Sequence, residues 1–212
     1  MSTKARFHAP LTRRAALGGL AAAGLAATLP PGRALALESA EAETLISALV
    51  DELTTLVTSG LDDKQQKTRF RALFERYAAV PQITRFVMGA PWRDMSDAQK
   101  ARFQESLLNY VASTYVDLLL DYEGQSIEVS GSLDFGARGI VVTSIANGPN
   151  VEGREVEWLV SDRGGDGPKL VDITALGISL LQTQRQEFAA MLEKTNGDVD
   201  AFIDDLDKIG GA

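Results

Sequence analysis

Lys169-Leu-Val-Asp-Ile-Thr-Ala-Leu-Gly-Ile-Ser-Leu-Leu-Gln-Thr-Gln-Arg-Gln-Glu-Phe188 is the stretch whose reading decides the fold. Its first five residues alternate in polarity and include β-branched side chains, which suits a strand. Beyond Thr174 to Gly177, residues Leu180, Leu181, Gln184 and Phe188 fall at helical spacing, so a strand is expected to turn straight into a helix. Gly177 tolerates backbone angles that a Cβ resists, which allows a tight crossover with Ile178, Leu180 and Leu181 pointing into one interior. An ordinary packing face would show the same pattern, so the rest of the chain has to decide whether that interior holds a ligand.

Upstream of this stretch the period changes from helical to alternating. Leu45, Ile46, Leu49, Val50, Leu53, Leu56 and Val57 predict an amphipathic helix over 39–59, and Phe70, Leu73, Phe74 and Tyr77 a second over 62–79. The cations of that second helix, Lys64, Lys67, Arg69, Arg71 and Arg76, read mostly as its solvated face. A short segment from Ile83 to Met88 ends at Gly89 and Pro91. Ser96-Asp97-Ala98-Gln99 is a capping-box pattern opening the longest helix, through Phe103, Leu107, Val111, Tyr115, Leu118 and Leu119 to Tyr122.

Four strands are expected next, over 126–133, 139–145, 151–160 and 170–173, joined by turns at 134–138, 147–150 and 163–168. Short turns between successive strands imply an antiparallel meander. Two helices close the chain, 178–195 and one carrying Val199, Phe202, Ile203, Leu206 and Ile209, separated by Asn196-Gly197.

Composition narrows the function. The 212 residues are 45% hydrophobic and 24% charged, which fits one ordinary domain. Cysteine is absent, and the sole histidine, His8, lies in an N-terminal segment expected to be removed, so disulfides, thiolate or Ser-His-Asp catalysis and Cys- or His-rich metal sites are excluded for the mature chain, leaving carboxylate pairs or a Ser-Lys arrangement. Thr12-Arg13-Arg14 precedes a mildly apolar run, Ala15 to Leu29, and Ala34-Leu35-Ala36 offers small residues for cleavage. These features predict a twin-arginine export signal over 1–36, followed by one domain over 37–212 in the bacterial periplasm. A membrane anchor is disfavoured because the run falls short of the ~20 residues that span a bilayer. Loss of the five cations in 1–36, where there is no acid, takes the formal charge from −8 to −13. Such a chain repels nucleic acid and anionic membrane surfaces over most of its area.

Familiar chemical motifs fail on inspection. Gly177-Ile178-Ser179 lacks the second glycine and the histidine of a nucleophile elbow. Asn196-Gly197-Asp198-Val199-Asp200 resembles a calcium loop until Ala201 stands where glycine is required. The glycines of 163–167 lack the spacing and lysine of a phosphate loop.

Two segments carry a family resemblance. Met88-Gly89-Ala90-Pro91-Trp92-Arg93 with Gln99, Phe103, Leu107 and Thr114-Tyr115 is similar to the Gly-x-x-Trp-Arg, Gln, Phe and Thr-Tyr series of the MlaC family of periplasmic phospholipid-binding proteins. Asp172-Ile173 with Gly177-Ile178-Ser179-Leu180, Arg185 and Phe188 resembles that family's second conserved run. The chain departs from the pattern at Pro91 and at Thr183-Gln184, where an aromatic is common before the arginine. The resemblance implies an α+β fold, a four-stranded antiparallel sheet wrapped by six or seven helices around an apolar lipid cavity. It also implies a monomeric, non-enzymatic carrier of phospholipid that needs no cofactor or metal. Its partners would be an inner-membrane ABC-type transporter complex and an outer-membrane lipid-transfer complex. A ligand-free adaptor of the same fold is the alternative. On this reading Trp92, Tyr115, Leu118, Val142, Trp158, Val160, Ile173, Ile178 and Leu181 are expected to line the cavity, with Arg93 or Arg185 at the lipid head group.

Overall fold

The computed structural model describes residues 37–120 and 124–211; of residues 117–120 only the backbone is described. The export signal expected over 1–36 therefore lies outside the described residues. Six α-helices and a five-stranded sheet account for most of the rest: α1 (Ser39–Val57), α2 (Asp63–Tyr77), α3 (Val80–Met88), α4 (Asp97–Leu120), β1 (Ser126–Asp134), β2 (Ile140–Asn147), β3 (Arg154–Ser161), β4 (Lys169–Ala175), β5 (Ile178–Ser179), α5 (Leu180–Lys194) and α6 (Val199–Gly210). Short 3₁₀ turns occupy Ala90–Arg93 and Gly136–Arg138.

Local chemistry sets several of the boundaries. The Ser96 hydroxyl accepts from Gln99 N at 3.2 Å while Gln99 Oε1 accepts from Ser96 N at 3.0 Å, which is the capping box read from the sequence. Asp62 and Gln65 repeat it at the start of α2. The failed calcium loop has a plainer job: Asp198 accepts from the backbone of Asp200 and Ala201 and so starts α6.

The sheet is an antiparallel meander in the order β1-β2-β3-β4-β5. The fifth strand corrects the expected count of four. Leu176 and Gly177 both take positive φ, 54° and 74°, which folds the chain back in two residues and pairs Ala175 with Ile178 and Thr174 with Ser179. The helix expected from 178 therefore begins only at Leu180, where the Ser179 hydroxyl accepts from Gln182 N at 3.0 Å.

Two apolar cores flank the sheet's inner side. One joins α1 to the sheet through Ala42, Ile46, Leu49 and Val50 against Ile140, Val142, Trp158, Val160 and Leu170. The other gathers α3, α4, α5 and α6 around Phe103, Phe188 and Phe202, whose ring centroids lie 5.6–5.9 Å apart. Polar clamps hold the helices together. Arg71 on α2 reaches Glu105 at 2.7 Å and Asn109 at 2.5 Å on α4, and the Arg71 guanidinium holds the Glu105 carboxyl below its ordinary pKa. Arg102 on α4 reaches Asp204 and Asp207 on α6 at 2.5 and 2.8 Å.

One glycine is fixed by close approach. Gly139, at φ 113° before β2, would place a Cβ 2.1 Å from the Val160 carbonyl oxygen. Gly139→Ala is expected to destabilise the protein by roughly 2 kcal/mol or more, through that clash and the positive φ together. Urea denaturation reads this directly; an unchanged midpoint would mean that β1, β2 and β3 do not meet as described.

Candidate functional site

Between the two cores lies an apolar cavity of about 310 Å³, near the lower end of the roughly 300–1,000 Å³ of small-molecule sites. Five helices and three strands line it. Leu49 and Leu53 come from α1; Phe70, Leu73, Phe74 and Tyr77 from α2; Ile83 and Val87 from α3; Leu107, Val111 and Tyr115 from α4. The sheet adds Ile127, Trp158, Leu170 and Ile173, and α5 adds Leu180, Leu181 and Gln184. On α4 the lining residues recur every fourth position and on α2 every three or four, so each helix presents one stripe to the space.

The few polar groups on the wall are mostly engaged. Trp158 Nε1 donates to Ser144 Oγ at 2.8 Å, which leaves its ring free to serve as apolar wall. Tyr77 donates to Glu52 at 2.8 Å, and Arg76 contacts the same carboxylate while its guanidinium stands 4.8 Å from the Tyr77 ring centre. Asp172 accepts from the backbone of Ile173 at 2.8 Å and of Leu181 at 2.9 Å and from the Ser179 hydroxyl at 2.5 Å. One carboxylate thus fastens β4, β5 and the first turn of α5 at the edge of the cavity. Burial, with smaller contributions from Tyr110 and Glu187, pushes the Tyr115 phenol up to about 12, so it is a neutral hydroxyl at any physiological pH.

Catalytic equipment is sparse. Among the described residues no three His, Cys, Asp or Glu side chains converge as a metal site would require. The lining includes no Lys, Arg, His or Cys.

Of the residues expected to line the cavity, Tyr115, Trp158, Ile173 and Leu181 stand on its wall. Leu118 belongs to α4 by its backbone, and its side chain lies outside the described residues. Val142 and Val160 are fully buried in the core beneath α1 instead. Val142 pairs with Trp158 on the same face of the sheet, but α1 fills the space over it. Trp92 is half-buried against the helical core, with the Lys100 ammonium 5.7 Å from its ring centre. Ile178, expected inside, is 61% exposed because the tight turn puts it on β5 at the outer end of the sheet.

The arginines are displaced too. Arg93 is exposed on its 3₁₀ turn. The Arg185 guanidinium lies 4.9 Å from the Phe86 ring centre and lines a separate hollow of about 420 Å³ between α5 and the end of α3. Gly89 borders the same hollow, and a Cβ there would come within 3.3 Å of that guanidinium. The two sequence segments that carry the family resemblance therefore meet in space.

Sequence reasoning missed the contributions of α1 and α2, and it missed Gln184. The aromatic stripe Phe70, Phe74, Tyr77 was visible but looks like any packing face; the signal for Gln184 was an amide inside an otherwise apolar stripe.

The sequence profile of the MlaC protein family matches residues 43–208. The chain belongs to the MlaC family. A solved structure of similar fold is the phospholipid-binding protein of Ralstonia solanacearum in complex with a phospholipid. It is 21% identical, with a TM-score of 0.67, over 80% of the MlaC chain described here and 97% of the Ralstonia one. No protein of curated function matches. Within this MlaC domain, no helix among the described residues is long and apolar enough to cross a membrane.

Proposed function

We propose that this protein is a phospholipid carrier whose cavity shelters acyl chains. On this reading it works in the periplasm between an outer-membrane lipid-transfer complex and an inner-membrane ABC-type transporter. The observation that carries the reading is an apolar cavity, walled by five helices and the sheet, in a member of the MlaC family. The phospholipid complex of the Ralstonia protein, which shares the fold, supports it. The energetics favour a carrier. A diacyl lipid has roughly 25–30 methylenes, each worth about 0.8 kcal/mol when removed from water, so unaided crossing of an aqueous compartment is steeply uphill. Transport of this kind needs no bond to be made or broken, and a wall that carries no Lys, Arg, His or Cys suits binding.

Protein purified from its own host and extracted with organic solvent is expected to release intact diacyl phospholipid in near-stoichiometric amount, unchanged after prolonged incubation near neutral pH. Lipid mass spectra before and after should match. Growth of lyso-lipid in a lipase-free preparation would make it a hydrolase, and recovery of no lipid would favour the ligand-free adaptor. Export is tested separately: replacing Arg13 and Arg14 by Lys is expected to leave precursor in the cytoplasm, because the paired guanidinium groups are what a twin-arginine reader would recognise. Normal periplasmic accumulation would sink that address.

A further inference from the structure

The polarity of the cavity is gathered along one edge, where α5 meets the C-terminal half of α4. Gln184 lines the cavity and is only 7% exposed. Its amide nitrogen donates to Glu187 Oε2 at 3.2 Å and reaches the Tyr110 hydroxyl at 3.4 Å. The bond to Glu187 fixes the orientation, since turning the amide over would set a carbonyl against a carboxylate. Gln184 Oε1 is thereby left over, and no described residue donates to it. No fully buried side-chain polar atom among the described residues lacks a partner, so Oε1 is not sealed in the core, and Gln184 is one of the residues that line the cavity.

The charges that the described residues bring to this edge are of one sign. Glu187 is exposed just outside the wall and accepts only the Gln184 amide; no ion pair engages it among the described residues. Asp172, on the wall itself, is satisfied by three neutral donors, and no ion pair engages it among the described residues either. Arg185, on the same helix as Glu187, is turned away over Phe86. Tyr115 adds an aromatic face to the wall.

A free carbonyl acceptor, an unpaired carboxylate and an aromatic ring form a set that receives an ammonium group and disfavours a second negative charge. We propose that this edge takes the amine of a zwitterionic phospholipid, with Glu187 as its charge partner, so that the protein selects zwitterionic over anionic lipids. The inference rests on the carrier reading and reverses the expectation that Arg93 or Arg185 meets the head group. The phosphate of such a lipid would sit toward solvent, where its charge is screened.

Delipidated protein is incubated with vesicles of equal phosphatidylethanolamine and phosphatidylglycerol carrying identical acyl chains. It is then re-isolated, and its lipid is weighed by mass spectrometry. The wild type is expected to enrich the ethanolamine lipid about fivefold, the effect of one partly exposed ion pair. Glu187→Gln should bring the ratio near one and Glu187→Lys should invert it, while Arg185→Gln should keep the wild-type ratio. Equal uptake by the wild type, an enrichment that survives both Glu187 variants, or a ratio that moves with Arg185 instead would overturn the assignment. Uptake of neither lipid would remove the carrier reading itself, a different failure from uptake without preference.

Discussion

Leu181→Arg is expected to lower the phospholipid recovered with the folded protein at least tenfold. Leu181 is half-buried on the cavity wall in the first turn of α5, and its backbone N–H is held by Asp172 whatever its side chain. A guanidinium at a half-exposed site can keep its charge in water while its stem crosses the opening, so the fold should survive. Acyl chains entering past it would have to desolvate the charge, which costs several kcal/mol unless it is paired. Ile173→Trp, which fills the same space from the sheet, should act in the same direction without adding charge. Full lipid loading in soluble, normally melting samples of both variants would show that the acyl chains lie elsewhere.

The largest effect on stability is expected at Phe188. Its ring lies 5.9 Å from Phe103, 5.3 Å from Tyr110 and 5.6 Å from Phe202, and it is the point where α4, α5 and α6 share side chains. Phe188→Ala removes that ring from a site too crowded to collapse, and about 3–5 kcal/mol should be lost, a large part of the ~5–15 kcal/mol that holds an ordinary domain. Calorimetry should find the melting temperature lowered by roughly 10 °C. A loss below about 1 kcal/mol would mean that the three helices do not meet through this ring.

The elements themselves were largely legible, because each obeys a local rule. The Ser96 capping box, the 3–4 spacing of Phe103, Leu107 and Val111, and the alternation along β2 all state their structure within a few residues. What escaped was the assignment of a face to a destination. Val142 and Trp158 are cross-strand partners on the same side of the sheet, yet one lies beneath α1 and the other looks into the cavity. Only the placement of α1, set by contacts distant in sequence, separates them. Ile178 failed for a different reason: a leucine at positive φ is uncommon, so two such residues in a row at Leu176-Gly177 were not anticipated. Arg185, expected at the lipid head group, lines the second hollow, since one helix can border two unlike hollows with neighbouring residues.

The cavity is bounded by two cores and is not hollowed out within either of them. Cargo held there would act as mortar, because acyl chains in contact with both walls supply cohesion that the polypeptide does not supply alone. A ligand that binds only the folded state at a thousand times its Kd adds about 4 kcal/mol to stability. Loaded and empty forms should then melt at different temperatures, which makes a thermal melt a gauge of cargo. On the proposed carrier reading, an acceptor that drew the lipid out would also loosen the joint between the two halves of the protein, so that delivery and a transient softening would become one event.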